Sequence, residues 1–199
     1  MRVHLIHGIH TEGPSPVENL IPYLVTEGFE TFYPDYGFIL GVETRIVNPI
    51  IRGALMPYIG SQDVIIGHSN GCAVAYDLMC AGQKLSGAVL VNAALEQTIT
   101  RPAGVPFIDV YFNPGDEITE AAKIAEQLGI VDPVWGEMGH AGYNGLDSSI
   151  HNINCATTPG MPTVLGHSAF FDPINITAWG PFLAKRLASQ MVSSPSASQ

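Results

Sequence analysis

Short apolar runs alternate with amphipathic stretches along most of the chain. Val3 to Ile6 is apolar and stops at His7-Gly8, the pattern of a buried strand ended by a glycine. Ser15-Pro16 opens a helix, because serine is a good N-cap and proline suits the first helical position. Val17, Leu20, Ile21 and Leu24 then recur at helical spacing, and Gly28 closes the element. Phe29 to Tyr33 predicts a second strand, ended by Pro34-Asp35. From Val42 to Tyr58 the spacing is helical again, with Pro49 and Pro57 predicting a kinked or divided helix. Asp63 to Ile66 predicts a third strand, which runs into Gly67-His68-Ser69-Asn70-Gly71 and then a helix over Ala73 to Met79. Leu85 to Val91 and Pro106 to Phe112 predict two more strands, and Thr119 to Leu128 a helix closed by Gly129. Val131 to Leu165 is rich in Gly, Asn, Ser and Thr with little periodicity, and no clear strand emerges from it. Phe170 to Leu187 predicts a closing helix starting near Asn175 or Trp179.

Strands and helices that alternate in this way predict an α/β fold. The expected architecture is a mostly parallel sheet of about six strands with helices on both faces. Right-handed crossovers gather the carboxyl ends of the strands on one edge, where such sheets bind ligands.

Composition narrows the function classes. A chain of 199 residues, 46% of them hydrophobic and 13% charged, has the material for one well-packed core. Residues 1–192 are expected to form a single domain and 193–199 a polar, Ser-rich tail. The net charge of -10 repels phosphate backbones and anionic lipid, so no nucleic-acid partner is expected. No signal peptide is visible and no apolar run is long enough to span a bilayer, so the expectation is a soluble, cytoplasmic protein without stable membrane insertion. Cys72, Cys80 and Cys155 are an odd set without metal-ligand spacing and are expected to be buried free thiols. His4, His7 and His10 form H-x-x-H-x-x-H, but residues three apart on a strand point to opposite faces, so no metal site is expected. The spacing leaves the oligomeric state open.

The chemistry concentrates at Gly67-His68-Ser69-Asn70-Gly71, a G-x-S-x-G motif between a strand and a helix. A serine on so sharp a turn brings the residues two before and two after it close together, and glycine meets that demand at both places. A serine hydroxyl needs a base, and the base needs an orienting acid. Asp116, in the turn Asn113-Pro114-Gly115-Asp116 at the end of a strand, is the candidate acid; the alternative is that it merely caps the next helix. Asp109 lies at the wrong end of its strand, and Asp132 and Glu117 are weaker rivals. His167, in Gly166-His167-Ser168, is the candidate base, with His140 and His151 as alternatives. The backbone N–H groups of Asn70 and Ile9 are candidate oxyanion donors. Trp135, Met138 and Phe170 are candidate substrate-binding residues, though the stretch Trp135 to Tyr143 also fits ordinary loop packing.

On His7-Gly8, Gly67-His68-Ser69-Asn70-Gly71, Gly115-Asp116 and Gly166-His167, the chain resembles the α/β-hydrolase superfamily from Val3 to about Leu187. With no room for a cap domain between Val91 and Pro106, it is similar in layout to small lidless lipases and esterases. The resemblance implies a Ser-His-Asp serine hydrolase acting on a small-molecule ester through an acyl-enzyme, with no metal or organic cofactor. An amidase, a thioesterase, a carbon–carbon bond hydrolase or a non-catalytic binding protein would share the same framework.

Overall fold

A computed structural model describes residues 1–9, 15–37, 43–119 and 135–193. Among the described residues six parallel strands form one sheet: β1 (Arg2–Ile6), β2 (Glu30–Phe32), β3 (Val64–His68), β4 (Gly87–Val91), β5 (Ile108–Phe112) and β6 (Ile150–Asn154). Their spatial order is β2-β1-β3-β4-β5-β6. The chain therefore runs outward from β1 to β2, then crosses back to build the rest of the sheet on the other side of β1. That reversal opens a crevice between the carboxyl ends of β1 and β3.

The α-helices among the described residues are α1 (Ile21–Thr26), α2 (Thr44–Leu55), α3 (Asn70–Cys80), α4 (Met138–Ala141) and α5 (Pro173–Ser193). Strand alternation divides the core into two layers. Ile6, Ile65, Ala88, Leu90, Ile108 and Val110 face α2 and α3, packing with Ile51, Leu55, Val74 and Leu78. Val3, Leu5, Val64, Ile66, Val89, Val91 and Tyr111 face the other way, against Leu24 of α1 and Trp179, Leu183 and Leu187 of α5.

The predicted strands all form. The helix after Ser15 begins as a 3₁₀ turn, Pro16–Leu20, before α1, and Gly28 closes it at φ +85°. The Ser15 N–H donates to Glu18 Oε1 at 3.0 Å, tying down the entry to that turn. Pro49 sits inside α2 without breaking it, whereas Pro57 belongs to a separate 3₁₀ turn, Met56–Tyr58, so the helix is divided as expected.

Three expectations are corrected. Residues 150–154, read as irregular, form β6. This edge strand reads Ile-His-Asn-Ile-Asn and buries only its two isoleucines, one on each face of the sheet, so no apolar run marks it. The closing helix starts earlier, at Pro173, because proline is tolerated in the first helical turn. Cys80 is exposed, at the end of α3, while Cys72 and Cys155 are buried free thiols. Most of the predicted Thr119 to Leu128 helix, and also His10, Asp132 and residues 194–199, lie outside the described residues. The link from β4 to β5 carries no helix or strand, so no cap domain is inserted there.

Candidate active site

Ser69 follows the last residue of β3 and precedes the first residue of α3, at φ 56° and ψ -126°. This is a costly conformation for a residue with a Cβ, worth roughly 1–3 kcal/mol of strain. The turn holds because three backbone bonds pin it. The Ser69 N–H donates to Val91 O at 3.2 Å, while the Ser69 carbonyl accepts from Cys72 N at 3.0 Å and Ala94 N at 3.3 Å.

The flanking glycines are required by space. A Cβ on Gly67 would lie 2.9 Å from the backbone of Cys72, and one on Gly71 would lie 2.2 Å from Ile6 O. Gly71→Ala is expected to lower stability by about 3 kcal/mol or more, because the obstacle is strand backbone that cannot swing away. A urea unfolding midpoint equal to that of the native protein would contradict this.

Gly8, just past β1, completes the crevice. A Cβ there would stand 2.8 Å from Ser69 Cβ, so only glycine lets the β1 loop come this close to the serine. The loop is braced from behind. The Tyr36 hydroxyl donates to the carbonyl of His7, and the two rings stack at 3.7 Å and 16°. His7 Nδ1 lies 2.8 Å from Gly8 O, which can only accept, so that nitrogen carries the proton. Burial pulls His7 below its ordinary pKa. His4, by contrast, pairs with Asp63 at 2.9 Å, so the two histidines serve separate structural bonds.

Asp116 and His167 meet. Both carboxylate oxygens of Asp116 lie 2.9 Å from His167 Nδ1, with the carboxylate fully buried and the imidazole side chain 10% exposed. Asp116 Oδ1 also accepts the N–H of Thr119 at 3.1 Å. The helix-cap and histidine-partner readings of Asp116 thus describe one residue in two roles. An aspartate that holds Nδ1–H leaves Nε2 as the free base of a neutral imidazole.

Ser69 and His167 line one cavity of about 280 Å³, together with Gly8, Ile9, Ser15, Pro16, His68, Ala94, Ile118, Thr119, Trp135 and Ser168. Among the described residues no hydrogen bond joins Ser69 to the His167 ring. Such bonds are often long in unliganded enzymes and tighten around substrate. Asn70 opens α3, where the first N–H groups have no partner within the helix and the positive end of the dipole lies. Its side chain is fixed by a buried reciprocal amide pair with Asn48, both bonds 2.9 Å, and its Oδ1 also accepts Trp135 Nε1–H at 3.0 Å.

The rivals stand elsewhere. Asp109 forms two bonds with Arg186, at 2.7 and 3.0 Å, and one with His151 at 2.8 Å, tying α5 to β5 and β6. His140 lies on α4, and neither it nor His151 lines the cavity. Glu117, next to Asp116 in the chain, is exposed and does not line the cavity. Of the three expected substrate-binding residues, only Trp135 lines the cavity. Met138 is buried against the α2–α3 layer, and Phe170 packs edge-on against Tyr111 in the opposite layer. Both are core residues: their apolar character suited a pocket wall and an interior equally well.

Several residues at this site carried no obvious signal in the sequence. Asn48 is one polar residue on a helix. Asn92 and Asn113 directly follow β4 and β5, and that position at the carboxyl ends of parallel strands is the one cue that could have found them.

No protein-family model matches the sequence, and no curated protein matches it. Solved structures do resemble it. The esterase domain of a Rhodothermus marinus protein superposes with a TM-score of 0.56 at 10% identity, covering 94% of this chain and 86% of that one. A monoacylglycerol lipase of Paleococcus ferrophilus gives 0.53 at 15%, over 96% of this chain and 94% of that one. The chain has the α/β-hydrolase fold. A pyrethroid hydrolase of Sphingobium faniae JZ-2 is similar over 99% of both chains, with a TM-score of 0.52 at 13% identity. At these identities the likeness concerns the fold. Within the α/β-hydrolase fold, β6 of this chain lies between Asp116 and His167 in sequence and supplies the strand that the composition of residues 131–165 concealed.

Proposed function

We propose that the protein is a serine hydrolase that cleaves a carboxylic ester of a small molecule through an acyl-enzyme. The observation that carries this is the Asp116–His167 pair, bonded at 2.9 Å on the cavity that Ser69 also lines. Ser69 Oγ attacks the ester carbonyl while His167 Nε2 takes its proton. The N–H groups of Asn70 and Ile9 hold the charge that develops on the carbonyl oxygen, each donor worth ~2.7–4 kcal/mol in such sites. The protonated His167, stabilised by Asp116, then gives its proton to the departing alcohol. Water activated by the same imidazole releases the acid and restores the hydroxyl.

The cavity favours an uncharged acyl group. Ile9, Pro16, Ala94, Ile118 and Trp135 supply apolar wall, and no lysine or arginine is among the described residues that line it. Trp135 is the one expected substrate-binding residue kept in this proposal.

The test is labelling by a fluorophosphonate, which traps a serine only when a base activates it, together with turnover of a p-nitrophenyl ester series. Stoichiometric modification of Ser69 and saturable ester hydrolysis are expected. A protein that neither labels nor turns over any member of the series would refute the proposal.

A further inference from the structure

His167 belongs to no strand or α-helix. It follows Gly166, which has a φ of +99°, and precedes a short 3₁₀ turn, Ala169–Phe171. A loop of this kind does not by itself hold an imidazole to the sub-ångström tolerance that proton transfer needs. Three buried side chains from three strand ends grip it instead. His68, the last residue of β3, places Nε2 3.2 Å from the carbonyl oxygen of His167. Asn92, directly after β4, donates its Nδ2 to the same carbonyl. Asn113, directly after β5, donates Nδ2 to the carbonyl of Gly166 at 3.1 Å. A carbonyl can only accept, so His68 carries its proton on Nε2.

The His68 and Asn113 side chains are themselves fixed. The His68 ring lies edge-on to Phe171 at 4.9 Å and tilted against the His167 ring at 5.0 Å. Asn113 Oδ1 accepts the N–H of Gly115 at 2.9 Å, so one amide ties the loop of the base to the turn of the acid. Asn92 holds a left-handed φ of 48°, a strained conformation that asparagine tolerates better than most residues. Burial, with the nearby His167 second, drives the His68 pKa down to about 3. His68 therefore stays neutral, and no second cation stands beside His167 when that ring takes a proton.

We propose that His68, Asn92 and Asn113 are positioning residues, a polar collar that holds the backbone of Gly166 and His167 so that the imidazole keeps its place between Asp116 and the Ser69 cavity. This rests on the assignment of His167 as the base. The collar does not touch the reacting atoms. Its loss should slow chemistry and, for Asn92 and Asn113, which do not line the cavity, leave the affinity for substrate nearly unchanged.

The experiment compares the native protein with His68→Phe, His68→Gln, Asn92→Asp and Asn113→Asp. The measurements are thermal midpoint, steady-state hydrolysis of p-nitrophenyl acetate and the rate of fluorophosphonate labelling. His68→Phe removes the donor and keeps a ring, His68→Gln keeps an N–H donor, and the two aspartates are isosteric and lose the donor. Expected is a fall in kcat of about 10- to 100-fold for the three donor-deficient variants with labelling slowed in parallel, and KM within about twofold for Asn92→Asp and Asn113→Asp, which do not line the cavity. His68→Gln should stay much closer to native. Three results would overturn the proposal: donor-deficient variants that melt early yet turn over like the native protein while folded; an impairment of His68→Gln equal to that of His68→Phe; or a loss that appears in KM alone. A native protein inert to both ester and phosphonate would instead remove the hydrolase assignment, and the collar's role with it.

Discussion

Ser69→Ala is expected to lower kcat for a p-nitrophenyl ester by as much as ~10⁶-fold, while the thermal midpoint stays close to native. The size follows from the loss of the attacking atom. Without Oγ no acyl-enzyme forms, and the residual rate comes only from the oxyanion donors and from binding. The fold should survive because the turn is held by backbone groups, Ser69 N to Val91 O and Ser69 O to Cys72 N and Ala94 N, none of which the substitution touches. Alanine also keeps the strain at φ 56°. Ser69→Gly would relieve that strain and should be more stable than native and equally inactive. Ester turnover by Ser69→Ala within about tenfold of native would end the nucleophile assignment.

Asp116→Asn should lower kcat by about 10⁴-fold and cost little stability. This substitution separates the residue's two roles. Asparagine caps a helix as well as aspartate does, so the bond that Thr119 N–H makes at position 116 can persist. The amide cannot stabilise a positive imidazolium, and its NH₂ can donate to Nδ1 and stabilise the wrong tautomer of His167. A melting temperature near native with collapsed turnover is the expected pair of results. Near-native turnover would show Asp116 to be a helix cap only, with the acid elsewhere. Asp109 is a poor substitute, since its carboxylate is committed to Arg186 and His151 away from the cavity.

The local grammar of the chain foretold most of the sheet. The strands buried on both faces, β1, β3, β4 and β5, are near-continuous apolar runs because each must pack against helices above and below. β6 escaped because an edge strand pairs on one side only and needs few apolar residues to stay in place. Met138 and Phe170, expected at the substrate, are buried in the two core layers for a related reason, as hydrophobicity marks burial without saying whether a ligand or the core does the burying.

What the sequence determined by itself was whatever short-range sterics control. The cramped bend at Ser69 presses Gly67 against the backbone of Gly71 and Cys72, so the motif announces its geometry. Gly71 and Gly8 were decided by the fold instead, since the space beside them is taken by the backbone of β1 and by Ser69. Only the tertiary structure decided which histidine faces that aspartate, since residues 116 and 167 meet through the pairing of β5 with β6. The same holds for His68, Asn92 and Asn113, which lie far apart along the chain and converge on one loop because parallel pairing brings the carboxyl ends of three strands together. Spacing along a chain encodes contacts within one turn or bend; contacts across a sheet edge depend on strand order, which no window of residues contains.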